Sequence, residues 1–140
     1  MSAQQQPFDA IQVGDSAFIE QLISEEIVNR FADLSGDFSP IHMSQETAVA
    51  RGFEDRVVHG FLSGSLVSRV LGMLLPGEYG LLHDVSLQFK KPVYINDRVK
   101  VMVSVTEKND TFRLLTLTIT ITNQNGQVVC KGKVTSGMSE

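Results

Sequence analysis

Residues 60–75 read Gly-Phe-Leu-Ser-Gly-Ser-Leu-Val-Ser-Arg-Val-Leu-Gly-Met-Leu-Leu, and two interleaved rows run through them. Leu62, Leu66, Val70 and Leu74 recur every four residues, with Val67 and Leu71 beside them, which is the apolar stripe of a helix. Gly60, Gly64, Ser68 and Gly72 form a second row at the same spacing. A glycine inside a helix costs about 1 kcal/mol relative to alanine. A repeated row of small residues therefore predicts that another element approaches this helix closely. The stretch is too short to cross a bilayer and carries Arg69, so the expected neighbour is a sheet curling around it rather than a second membrane helix.

The residues that follow supply such a sheet. Val85, Leu87 and Phe89 alternate with polar or charged neighbours until Pro92 breaks the run. Val99, Val101, Val103 and Val105 repeat at period two, the pattern of a half-buried strand. Phe112 to Thr122 is rich in threonine, leucine and isoleucine, which suit a pleated surface. Gln127 to Thr135 makes the last strand, reached through Asn123-Gln124-Asn125-Gly126, whose Asn-Gly pair is a hairpin signal. Asn96-Asp97 and Asn109-Asp110 mark two further turns. Successive strands joined by short turns imply an antiparallel sheet.

Upstream, Ser16 to Ile23 reads as one more strand. Ser24 is placed to cap a helix running to about Leu34, with Glu25 and Glu26 in its first turn and Ile27, Val28, Phe31 and Leu34 at helical spacing. Gly36 is its expected stop. A short helix is expected from Ser44 to about Arg51. The reading is one α+β domain over residues 1–140, a curved antiparallel sheet wrapped around a long central helix, with residues 1–7 as a loose end.

Composition narrows the functional classes. The 140 residues are 42% hydrophobic and 20% charged, which is ordinary for a globular domain with its own core. A net charge of −4 gives no overall attraction for nucleic acid, and there is neither a Walker loop nor zinc-like Cys/His spacing. Cys130, the single cysteine, excludes an internal disulfide and reads as an inert packed thiol. The glutamine-rich start lacks the basic and apolar regions of a signal peptide. The expectation is a cytoplasmic protein with no membrane or nucleic-acid partner.

Chemistry-bearing residues gather ahead of the central helix. In Gly36-Asp37-Phe38-Ser39-Pro40-Ile41-His42, Ser39-Pro40 enforces a turn that can point Asp37 and His42 back toward one space. The bland alternatives are a turn-forming aspartate and a loop histidine bonded to backbone. In Val57-Val58-His59-Gly60-Phe61-Leu62, a His-Gly pair opens the central helix. The first N–H groups of a helix lack partners and carry partial positive charge, so Gly60 offers an unobstructed donor to an oxygen that becomes negative. His59 is the simpler to explain as a buried structural histidine, and His83 as a surface or packing residue.

These segments resemble one family. Phe31 to His42 followed by Val57 to Leu62 is similar to the hydratase-2 motif of the MaoC-like (R)-specific enoyl-CoA hydratases and 3-hydroxyacyl thioester dehydratases. Val13-Gly14-Asp15 resembles that family's opening. Leu87-Gln88-Phe89-Lys90-Lys91-Pro92-Val93 with Asn96-Asp97 resembles its sheet, so the likeness spans nearly the whole chain. Ser39 departs from it, since asparagine is commoner there.

The resemblance implies a hot-dog fold, usually a homodimer that covers an otherwise exposed sheet edge. It implies that Asp37 and His42 hold the water added to a trans-2-enoyl thioester, that Gly60 faces the thioester oxygen, and that Ser68 lines the same site. Ser39 and His59 would support the pair. No metal, flavin or nicotinamide is implied; coenzyme A or an acyl carrier protein would carry a short or medium acyl chain. Lys90, Lys91, Arg98 and Lys100 could meet a CoA phosphate or an acidic carrier protein, or form a solvated strand face. A carrier-protein dehydratase, a hot-dog thioesterase and a non-catalytic acyl-binding subunit are the rivals. Thioesterases of this fold usually place an acid on the central helix, and residues 60–75 contain no aspartate or glutamate.

Overall fold

The computed structural model describes residues 1–140. Strand β1 (Ser16–Leu22) leads into helix α1 (Glu25–Ser35). Two short helices follow, α2 (Pro40–Met43) and α3 (Gln45–Ala50), and then the central helix α4 (Gly60–Met73). Strands β2 (Gly80–Phe89), β3 (Arg98–Asn109), β4 (Leu114–Thr122) and β5 (Val128–Met138) complete the chain. The five strands form one open sheet in the order β1-β3-β4-β5-β2, with every neighbouring pair antiparallel. One helix packed across such a sheet is the hot-dog arrangement. No helix is long and apolar enough to cross a membrane.

Period-two alternation becomes continuous rows across the sheet. Ile19, Val101, Ile121, Cys130 and Phe89 stand side by side on the five strands, and Ala17, Val103, Ile119, Gly132 and Leu87 form the next row. The four β3 valines and Leu115, Leu117, Ile119 and Ile121 of β4 are buried. Burying each such side chain fully contributes roughly 1.5–3 kcal/mol. These residues join Leu62, Val67, Val70 and Leu71 of α4 in one core.

The glycine row of α4 has a divided explanation. A Cβ on Gly60 would lie 3.0 Å from the Phe89 ring, and one on Gly64 would lie 3.3 Å from Leu87. Both contacts come from β2, as a closely approaching sheet requires. Gly72 has open space beside it, and the structure gives no packing reason for it. The helix ends at Met73 rather than Leu75.

Local signals act as their chemistry dictates. The Ser24 hydroxyl accepts the Ile27 N–H at the start of α1, and Gly36 ends that helix in the left-handed region at φ 76°. Ser44 caps α3 through the Thr47 N–H. At the hairpin, Asn123 accepts the Asn125 and Gln127 N–H groups on its side chain, and Gly126 takes φ 72°.

Three expectations need correction. The turn at Ser39-Pro40 is the start of a helical turn, α2, because proline's fixed φ suits the first helical position. Strand β2 does not bury an alternating face: Leu87 packs on the core, but Val85 and Phe89 remain largely exposed because β2 is an edge strand. The third predicted strand begins at Leu114 rather than Phe112, since Arg113 has φ 53° in the turn. At the N-terminus, Gln4 donates to the Met73 carbonyl and accepts from the Glu78 N–H.

Candidate active site

Asp37 and His42 stand on either side of the turn that opens α2. Asp37 follows the glycine stop of α1, and its amide donates to the Ser35 hydroxyl. One carboxylate oxygen, Oδ1, accepts the Ser39 N–H at 3.1 Å. Ser39 thus supports the site through its main chain, and its side chain makes no capping bond, which explains why serine serves where the family pattern favours asparagine. The other oxygen, Oδ2, faces His42 Nε2 at 3.7 Å.

That distance is too long for a direct hydrogen bond. The opposite side of the ring fixes its proton: His42 Nδ1 lies 2.6 Å from the Val57 carbonyl, so Nδ1–H donates there. In the neutral ring Nε2 then carries a lone pair. Two acceptors therefore converge without a donor between them. A water can donate one O–H to each, which leaves its oxygen lone pairs free to meet an electrophilic carbon beside them.

His59 is a structural support, buried to 2% exposure. Its ring stacks on His42 at 3.9 Å between centroids, and the tilted Phe31 ring lies 5.0 Å from it. Nε2 donates to the Asp37 carbonyl at 2.9 Å, so His59 holds the backbone of one member of the pair and the ring of the other. Its Nδ1 is buried without a partner. Asp37, His42 and His59 bring donor atoms within 4.8 Å of one another. One nitrogen of each ring donates to a main-chain carbonyl, which leaves the other nitrogen as an acceptor.

Next to the pair is a cavity of about 400 Å³, lined among others by His42, Val58, Gly60, Ser63, Phe89 and Cys130. Its size and largely apolar wall suit a small apolar group. Gly60 opens α4, so its N–H has no partner within the helix and sits at the positive end of the dipole. Burial pushes the Cys130 thiol above its ordinary range, an effect the hydrogen bond from the Gln88 backbone partly offsets. Cys130 is thus a neutral wall residue and no nucleophile.

The structure unites His42 and Gly60 at one cavity with Asp37 beside it, but it does not bring Ser68 there. Ser68 lies about 12 Å farther along α4, eight residues at 1.5 Å each, in a separate cleft with Leu71, Leu82 and Ser136. The four basic residues also separate. Lys90 and Lys91 border the cavity, whereas Arg98 begins β3 and Lys100 covers the Phe18 ring. Ser63, the Val57 carbonyl and Arg56 escaped the sequence reading. A main-chain carbonyl carries no residue-type signal, and Arg56 follows Glu54 and Asp55 in a charged stretch that gives no sign of its burial.

Comparison with known proteins bears on the same segments. The profile of the MaoC like domain matches residues 10–127. The (R)-specific enoyl-CoA hydratase of Aeromonas caviae is 37% identical over 133 residues, covering 95% of this chain and 96% of that protein. The enzyme of the same name from Rhodospirillum rubrum is 38% identical, covering 91% and 88%. The R-hydratase PhaJ1 structure from Pseudomonas aeruginosa superposes with a TM-score of 0.90 at 31% identity, covering 96% of this chain and 86% of that one. With the profile spanning most of its length and relatives aligned nearly end to end, this chain belongs to the MaoC-like domain family.

Proposed function

We propose that this chain is an (R)-specific enoyl-CoA hydratase, a lyase that reversibly adds water to a trans-2-enoyl thioester to give the (R)-3-hydroxyacyl thioester. The carrying observation is the pair formed by Asp37 Oδ2 and His42 Nε2, two acceptors 3.7 Å apart beside a cavity headed by Gly60. Water held by both is polarised for attack on the β-carbon, and a proton passes to the α-carbon from the same pair by general acid–base catalysis. Charge that develops on the thioester oxygen meets the Gly60 N–H, a contribution of roughly 3–4 kcal/mol for such a donor. The protons move between side chains and substrate, so the reaction calls for no cofactor. The (R) configuration is carried over from the named relatives.

Crotonyl-CoA loses its conjugated absorbance on hydration, and a chiral analysis of the product identifies the configuration. Absence of hydration, or an (S) product, refutes the proposal. Release of free thiol would indicate a thioesterase instead, although α4 offers no carboxylate. Running a crotonyl carrier protein in parallel distinguishes CoA from carrier-protein substrate. A cytoplasmic location accords with the single free cysteine.

A homodimer forms part of this reading. Leu81, Leu82, Val85 and Phe89 are exposed on edge strand β2, and Phe61 of α4 is 84% exposed. An edge this apolar calls for cover, and a second copy provides it symmetrically. Sedimentation as a monomer at micromolar concentration would refute it.

A further inference from the structure

Arg56 is 7% exposed, and its guanidinium spends its donors on two separate helices. Nε donates to the His42 carbonyl at 2.6 Å, Nη1 to Glu25 Oε1 at 3.0 Å, and Nη2 to Asn29 Oδ1 at 2.8 Å. The Met43 sulfur lies 3.8 Å from Nη2. A buried guanidinium is tolerated only with such partners. It therefore acts as a fixed strut between α1 and α2.

The residue after it completes the arrangement. Val57 N–H donates to the Ile41 carbonyl at 3.0 Å, and the Val57 carbonyl receives His42 Nδ1–H at 2.6 Å. Residues 56 and 57 thus hold the main chain of 41 and 42 at two points and the imidazole at a third. The third contact decides which nitrogen carries the proton. If α2 slid by about 1 Å, the Nδ1–H bond to Val57 would weaken and the Nε2–H tautomer would compete. That tautomer aims a donor at Asp37 Oδ2, which closes the gap where two acceptors otherwise receive water.

We infer that Arg56 is a positioning residue that selects the Nδ1–H tautomer of His42 by pinning the His42 main chain against Val57. The tautomer part stands on geometry alone; its kinetic consequence rests on the hydratase reading. Arg56→Lys keeps a cation but loses the planar fork, and Arg56→Met removes the charge. With only three histidines in the chain, proton–nitrogen NMR resolves the His42 ring, and His42→Gln identifies its signals.

The wild type should show Nδ1–H at His42, and Arg56→Lys should move the ring toward Nε2–H. Its kcat should fall about 100-fold, the effect of a displacement near 1 Å. KM should change less than about threefold, since no substrate contact is lost. A thermal melt confirms that the variant is folded at the assay temperature. If both Arg56 variants fail to fold, Glu25→Gln with Asn29→Ala loosens the strut from its other end and should shift the tautomer in the same direction. A folded variant that keeps the wild-type tautomer overturns the inference, as does a wild type already in the Nε2–H form. A tautomer shift in a protein without hydratase activity upholds the inference and refutes the hydratase reading.

Discussion

Asp37→Asn tests the site with the smallest possible change of shape. Asp37 Oδ1 accepts the Ser39 N–H at 3.1 Å, and an asparagine keeps that bond only by placing its carbonyl oxygen there. Its NH₂ then falls where Oδ2 stood, 3.7 Å from His42 Nε2. An acceptor has become a donor, so a water in the gap must turn a lone pair toward the new amide and can donate to His42 alone. Only one O–H is then polarised by an acceptor, and the carboxylate that could take or return a proton is gone. Hydration should fall at least about 100-fold, the lower range for losing a general acid–base group, which raises the barrier by about 2.7 kcal/mol. Stability should hardly change. The Asp37 side chain is 49% exposed and retains its one hydrogen bond, so the unfolding free energy should move by less than about 0.5 kcal/mol. The assay follows crotonyl-CoA absorbance alongside a thermal melt. A folded Asp37→Asn protein that hydrates at the wild-type rate would refute the two-acceptor arrangement.

Other perturbations follow from the same geometry. His42→Gln should also lose at least about 100-fold in hydration rate while retaining the wild-type far-UV spectrum; activity near wild type would remove His42 from the reaction. Gly60→Ala puts a methyl 3.0 Å from the Phe89 ring at the cavity wall. Its activity should drop by about tenfold, roughly 1.4 kcal/mol of barrier, and Phe89→Leu in the same chain should restore part of it, because the ring is what the methyl meets. No recovery would place the damage elsewhere. Cys130, held above its ordinary pKa by burial, contributes to a pH-dependent stability. The folded state binds the thiol proton more tightly than the unfolded chain, so the contribution is complete below about pH 8.5 and declines as pH rises through the folded value. The melting temperature of wild type should therefore fall more steeply above that pH than that of Cys130→Ala; parallel profiles would contradict the assignment.

How much was legible depended on whether side chains or main chain carried the information. Period-two alternation at Val99 to Val105 reported a strand covered on one face by its neighbours, and Ser24 and Gly36 reported the ends of α1 because caps are local chemistry. Strand β2 misled because alternation in residue type is the same for a central strand and an edge strand; only the strand order separates them. Asp37, His42 and Gly60 could be singled out because a turn and a helix start leave unpaired polar groups at fixed places. The tautomer of His42 was invisible, since it is set by the Val57 carbonyl, fifteen residues away. Ser68 had a plausible place on the glycine row, but eight residues of helix carry it beyond the His42 cavity. Arg56 stood beside Glu54 and Asp55 like any surface charge, and its role required knowing where α1 and α2 meet.

The stretch from Asp37 to Gly60 holds the pair, its supports and the helix-start amide. Its main chain joins the sheet-bearing remainder at few points, the Val58 N–H to Val93 and the bridge between Val57 and Tyr94. Strands β3, β4 and β5 meanwhile form a meander of consecutive neighbours whose register owes nothing to that stretch. The reacting groups are therefore written in one contiguous passage, while β2 and the meander supply part of the cavity wall through Phe89, Val129 and Cys130. Substitutions in the meander away from Val129 and Cys130 can adjust durability alone, whereas the passage from Asp37 to Gly60 changes only in step with Glu25, Asn29 and Phe89, which it touches.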